Sequence, residues 1–205
     1  MIELFAITDH PGPALPDVAP LRVVARDGLG IVCAPVSGAT EVSAEELWRH
    51  ERVVEALMED RDLLPVRYGT RLGGEGEAAR ALAERHAELA RALDRVRGAV
   101  EVSVRAVRTG DESDADEAET GSEYLRARAR TAAAAGTLHE PLSAAARASV
   151  RRPPSLPAEL LRAAYLVDRE RLARFTSLVR ELDESNPDMQ VLCTGPWPPY
   201  SFAGG

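Results

Sequence analysis

Four histidines, two cysteines, one glycine-rich step and one acidic run are the parts of this chain that could do chemistry. Their spacing decides how much. His10, His50, His86 and His139 fall in no pattern that resembles a metal or catalytic motif. His50 lies near the Leu47 and Val54 face of one helical stretch and His86 near the Leu82 and Leu89 face of another, so each is expected as a hydrogen-bonded boundary residue and not a ligand. Cys33 and Cys193 are too few for a disulfide framework and are not spaced as a metal pair, which suits a reducing cytoplasm. Gly74-Glu75-Gly76-Glu77-Ala78-Ala79 approximates the dinucleotide fingerprint and opens a helix, but Glu75 and Glu77 put negative charge where a pyrophosphate must sit. Asp114-Ala115-Asp116 begins like a calcium loop, yet Ala118 and Glu119 stand where a further oxygen ligand and the turn glycine are needed. No serine or cysteine has a nucleophile-elbow context. The expectation is a protein that is not an enzyme, with no catalytic residue, cofactor site or metal.

One charged residue is placed oddly. Arg67 interrupts the apolar stretch Leu64-Pro65-Val66-Arg67-Tyr68-Gly69-Thr70, and a guanidinium is costly to bury unless a carboxylate faces it. Either Arg67 lies on a solvent face or it organises a buried polar node, with Glu101 in Ala99-Val100-Glu101-Val102 as the expected partner.

The elements that must position these residues can be traced along the chain. Ile2 to Thr8 alternates as a strand, and Asp9-His10-Pro11-Gly12-Pro13 breaks it into a loop reaching Pro20. Leu21 to Arg26 and Leu29 to Val36 read as a hairpin turning at Asp27-Gly28. Ser43-Ala44-Glu45-Glu46 is a capping box for a helix to about Asp60, with Leu47, Val54, Leu57 and Met58 on one face. Asp62 to Thr70 contains a short strand, Glu75 to Arg97 an amphipathic helix ended by Gly98, and Ala99 to Val107 a strand. Thr120-Gly121-Ser122-Glu123 is a second capping box, for a helix that Pro141 should kink or end. Leu160 to Val167, Asp168 to Glu184 and Met189 to Thr194 then read as strand, helix and strand. This order predicts an α+β fold of two modified ferredoxin-like units. The expected boundaries are 1–107 for the first, 108–120 for an acidic linker, 121–194 for the second and 195–205 for a tail.

Charge narrows the partners. The net charge is −8, every basic residue is arginine, and Asp111 to Glu119 holds six acids in nine residues, so the rest of the chain carries only −2. No basic stripe is visible, which argues against a nucleic-acid partner. No signal peptide or apolar run long enough to span a bilayer is present, so neither secretion nor a lipid membrane is expected.

The last residues are the most distinctive. Gly195-Pro196-Trp197-Pro198-Pro199-Tyr200-Ser201-Phe202 packs prolines and aromatics into a chain with only 4% aromatic residues. The prolines make a stiff ribbon that is neither helix nor central strand. Burying Trp197, Tyr200 and Phe202 returns roughly 1.5–3 kcal/mol each, against an ordering cost the prolines have already lowered. The tail is expected either as a strap on its own chain or as a partner-binding segment.

Taken together, His50-Glu51-Arg52-Val53-Val54, Leu64-Pro65-Val66-Arg67-Tyr68-Gly69-Thr70, Gly98-Ala99-Val100-Glu101-Val102, Gly121-Ser122-Glu123-Tyr124-Leu125, Ala164-Tyr165-Leu166-Val167-Asp168-Arg169 and the proline-aromatic tail resemble, in order and over nearly the whole chain, the gas vesicle GvpL/GvpF family. Tyr68 stands where phenylalanine is more usual in that family. The resemblance implies two modified ferredoxin-like units with the tail packing back near their junction. It also implies a gas vesicle assembly protein and minor vesicle component, cytoplasmic or on the vesicle. Such a protein binds the hydrophobic main shell protein, and possibly other minor gas vesicle proteins, and limits aggregation of the shell protein. Pro65, Arg67, Tyr68, Gly69, Glu101, Tyr165, Asp168, Gly195, Pro196, Trp197, Pro198, Pro199, Tyr200 and Phe202 mark the family motifs and a structural core, not a mapped site. The other reading is a small-ligand-binding or regulatory module on the same scaffold.

Overall fold

The computed structural model describes residues 1–36, 43–109, 121–156 and 158–204, and the chain divides into two compact units, Met1–Ala99 with Trp197–Gly205, and Val100–Pro196. The proposed acidic linker from 110 onward and the capping residue Thr120 lie outside the described residues.

In the first unit, β1 (Ile2–Asp9), β2 (Arg22–Arg26), β3 (Leu29–Pro35) and β4 (Leu63–Pro65) form an antiparallel sheet in the order β2-β3-β1-β4, and the short β5 (Arg71–Leu72) also pairs with β1. The hairpin turns where it was expected. Asp27 and Gly28 both take positive φ, 50° and 89°, the backbone whose twist matches that of the flanking strands. A loop, not a helix, connects β1 to β2, and the helices α1 (Ala44–Met58) and α2 (Glu75–Val96) come later in the chain. Ser43 caps α1, its Oγ accepting from the Glu46 N–H at 3.2 Å. The two helices cover opposite faces of the sheet. Glu3 and Phe5 meet His50 of α1, whereas Leu4 shares its side with Cys33 and Arg22, and Arg22 meets Glu75 at the start of α2. That is why β1 and β3 are apolar and buried almost without alternation.

The second unit has the order β6 (Ala99–Arg108), α3 (Gly121–Ala145), β7 (Ala148–Arg151), β8 (Glu159–Asp168), α4 (Leu172–Glu184) and β9 (Met189–Trp197), with a 3-10 turn at Arg169–Arg171 before α4. Its sheet runs β7-β8-β6-β9, the strand order of a ferredoxin-like unit. Val102, Val104 and Ala106 of β6 and Leu161, Ala163, Tyr165 and Val167 of β8 join Leu138 and Leu142 of α3 and Phe175 and Val179 of α4 in one core.

Several expectations change. The strand at 99–107 lies inside the second sheet, between β8 and β9, and does not complete the first. Pro141 neither ends nor marks the end of α3, which continues to Ala145, because Leu138 and Leu142 on either side are fully buried and hold that turn against the sheet. β7 is a four-residue strand without a strong alternation, too short for its sequence pattern to mark it. β9 extends through Pro196 to Trp197, which an edge strand permits. Leu47 is 42% exposed, and His50, Val53 and Val54 take the inner face of α1 in its place.

Candidate functional site

Arg67 takes the solvent-facing alternative and organises no buried node; a different buried polar node is centred on Glu3. β4 stops at Pro65, and the chain then turns as the Thr70 N–H and hydroxyl both donate to the Arg67 carbonyl, at 3.2 and 2.7 Å. Gly69, at φ 80°, supplies the left-handed residue that turn requires. Arg67 therefore points outward and is exposed, while Glu101 is buried in the second unit, on β6. The expected Arg67–Glu101 pairing is corrected accordingly.

Glu3 is 1% exposed, and a carboxylate so placed requires both oxygens satisfied. Arg49 Nη2 donates to Oε2 at 3.1 Å, and His50 Nδ1 lies 3.1 Å from Oε1. The other ring nitrogen of His50, Nε2, donates to the Val66 carbonyl at 2.8 Å. Phe5 stacks on the imidazole with centroids 4.9 Å apart, and Tyr68 meets it edge-on at 5.6 Å. The Tyr68 hydroxyl donates to Glu46 at 3.0 Å, and burial, then the Glu46 carboxylate, push that phenol up. Thus α1 clamps the Pro65–Gly69 segment to β1. His50 is the satisfied histidine expected from its position, more deeply buried than a boundary residue. The signal that would have located the node was the acid in the apolar strand Ile2–Thr8.

The tail docks on the same unit. The Tyr200 hydroxyl donates to Glu51 of α1 at 3.3 Å, and Arg95 Nη2 of α2 reaches the Phe202 carbonyl at 3.5 Å. Burial, reinforced by Glu51, raises the Tyr200 phenol well above its ordinary range. Pro198, Pro199 and Phe202 are buried and Tyr200 is half-buried, but Trp197 is 41% exposed. The prolines carry burial that was expected of Trp197. Gly195 enters the tail at φ 123°, a backbone closed to residues with a Cβ at low cost, and Pro196 follows it at the exposed end of β9.

In the second unit Tyr165 is fully buried, its hydroxyl 2.8 Å from His139 Nδ1 and its ring 5.4 Å from that of Phe175. Asp168 pairs with Arg147 and, at 3.7 Å, with Arg171. Glu159, 1% exposed, accepts from Arg105 Nε at 2.7 Å and from the Ser155 N–H and hydroxyl at 2.5 and 2.9 Å. Burial opposes its ionisation, yet these donors outweigh it and hold the carboxyl below its ordinary value.

Burial raises both cysteine thiols, so neither is an activated nucleophile. Among the described residues, no group of three or more His, Cys, Asp or Glu is gathered to hold a metal ion, and no helix is long and apolar enough to cross a membrane. What remains conspicuous is Trp48, 67% exposed beside Leu47 on the outer side of the clamped helix α1.

The sequence matches the model of the family described as Gas vesicle synthesis protein GvpL/GvpF over residues 4–136 and again over 122–204. It is 36% identical over 181 residues to Gas vesicle protein L of Streptomyces sp. (strain CB03234), an alignment covering 76% of this chain and 67% of the relative. It is 25% identical over 156 residues to Gas vesicle protein F2 of Halobacterium salinarum (strain ATCC 700922 / JCM 11081 / NRC-1), covering 75% and 65%. The chain thus spans about two thirds of the length of these relatives. The fold is that of the crystal structure of gas vesicle protein GvpF from Anabaena sp. PCC7120, with a TM-score of 0.85 at 20% identity over 100% of this chain and 96% of that one. It is similar also to GvpF from Microcystis aeruginosa, with a TM-score of 0.82 at 18% identity over 100% and 99%. With both halves of the sequence matching and the whole fold superposing, the chain belongs to the GvpL/GvpF family of gas vesicle synthesis proteins.

Proposed function

We propose that this protein binds the small hydrophobic main shell subunit of the gas vesicle during assembly, limits its aggregation, and is a minor vesicle component working in the cytoplasm or on the vesicle. An unassembled shell subunit exposes apolar area and strand edges, and both template aggregation. A partner shields them with apolar surface of its own and needs no strong charge field. The observation that carries this reading is the Leu47–Trp48 patch, 42% and 67% exposed. Large aromatics so exposed are characteristic of contact surfaces. The helix presenting it is fixed from behind by Glu3, Pro65–Gly69 and the tail, so the patch is held in place before a partner arrives.

The test is capture of the shell subunit by the full chain and by Trp48→Ala. Trp48→Ala is expected to weaken capture about tenfold or more, as loss of a hot-spot aromatic does, with an unchanged melting temperature. Capture unaffected by the substitution would move the contact off α1. Absence of capture by the native chain would end the shell-binding reading.

A further inference from the structure

The two helices of the second unit are parted, along the last turns of α3, by a groove that nothing above uses. Its volume is about 690 Å3. Pro141, Ala144 and Ala145 recur at helical spacing on α3 and form one wall. The two alanines are small and leave space beside Phe175 and Leu178 of α4. Phe175 is 1% exposed and belongs to the core, whereas Leu178 is only half-buried. Arg174 and Glu181 stand on the α4 side of the groove, and both are exposed. With Leu178 they are spaced i, i+4, i+7 and lie on one stripe of α4. The two charges are about 10 Å apart along the helix axis, beyond the one-turn spacing at which helical side chains pair. Neither side chain makes a hydrogen bond or ion pair with another described residue.

We propose that this groove is an interface between two copies of the chain, packed α4 against α4 in antiparallel fashion about a two-fold axis. Such an interface needs a surface complementary to itself, residue i meeting j while j meets i. The α4 stripe has that property, because the midpoint between Arg174 and Glu181 falls between Ser177 and Leu178. A second α4 reversed about that point sets Arg174 of each copy against Glu181 of the other. Leu178 of each copy then enters the groove of its mate, against Ala144 and Phe175. The charges fix the direction, since a parallel pairing in register sets like charge on like. A helix of unrelated sequence would need to match this rim by chance, whereas a second copy matches it by symmetry. The contact is smaller than the standard interface of about 1,200–2,000 Å2, so the dimer is weak and concentration-dependent. The proposal does not depend on the shell-subunit reading, and its test uses no shell protein.

Sedimentation velocity of the full chain over a wide concentration range is expected to show a monomer–dimer equilibrium. Arg174→Glu or Glu181→Arg alone should weaken it about tenfold or more, because symmetry turns each substitution into two like-charge contacts. Mixed in equal amounts, these two variants should recover the native affinity as a heterodimer, since one chain then presents two acids and the other two arginines at the matched positions. Ala144→Gln, at an exposed helical position, fills the groove without changing charge and should weaken dimerisation to a similar degree. All three variants should keep the native melting temperature at concentrations where the chain is monomeric. A native chain that stays monomeric at the highest concentration overturns the proposal and leaves the groove to a helix of another protein. An undiminished dimer in any of the single variants, or a mixture that does not recover, overturns it as well.

Discussion

A carboxylate at the centre of an apolar sheet is tolerated only when its partners are built in, and Glu3 shows what that demands. One oxygen is met by Arg49 and the other by His50, while the far side of the imidazole is tied to the Val66 carbonyl. His50→Leu leaves Glu3 Oε1 and the Val66 carbonyl without that ring, and should cost about 3 kcal/mol, the lower part of the range for breaking a buried pair. Arg67→Ala should stay within about 0.5 kcal/mol, as at an ordinary surface. Urea denaturation of both variants checks the contrast, and a larger loss at Arg67 would restore it as a core residue. His139 gives a pH signature. Burial and then Arg151 hold it below its ordinary value of 6.5, with Glu140 opposing, while its Nδ1 faces the Tyr165 hydroxyl. The folded protein therefore takes up this proton less readily than the unfolded chain. Its contribution is fully present above pH 6.5 and is lost as pH falls through that value toward the lower folded one. His139→Gln should flatten the fall of stability over that interval, and an unchanged slope would place the titration elsewhere.

Among the elements, α1 and the tail illustrate how a local sequence becomes a support. The Ser43 cap and the three-to-four-residue spacing of His50, Val53, Val54, Leu57 and Met58 favour a helix in α1 from local sequence. Its position against β1 and the Pro65–Gly69 turn is set by the polar contacts of Arg49, His50 and Glu46. The tail then closes over the same unit, with Phe202 only 7% exposed. Truncation after Trp197 removes Phe202 and the buried prolines. From Phe202 alone roughly 1.5–3 kcal/mol should be lost, lowering the melting temperature by about 10 °C for a unit of this size. The same variant should bind the shell subunit more weakly, because α1 loses its brace at Glu51. A paired measurement of melting temperature and capture decides this. Unchanged stability with lost capture would make the tail itself the contact, and no change in either would remove its supporting role.

For the whole molecule, charge is the property that acts at long range. Six of the acids lie in Asp111–Glu119, and without them the net charge of −8 becomes −2. A chain near neutrality self-associates more readily. Replacing those six by Asn and Gln should therefore lower solubility at pH 7, read as the polyethylene glycol concentration that precipitates half the protein, and an unchanged midpoint would deny the run that role. Most strands and helices, the Asp27-Gly28 turn, the Ser43 cap and the apolar faces of α2 and α4 were legible in the sequence, because propensity, capping and periodicity act over a few residues. The motif blocks identified the family for the same reason: they are contiguous. Which sheet receives β6, why α3 runs through Pro141, and that Glu3 rather than Arg67 anchors the polar node were decided only by tertiary structure. Each depends on residues far apart in the chain meeting in a low-dielectric interior, where packing and the cost of an unpaired charge outweigh local preference.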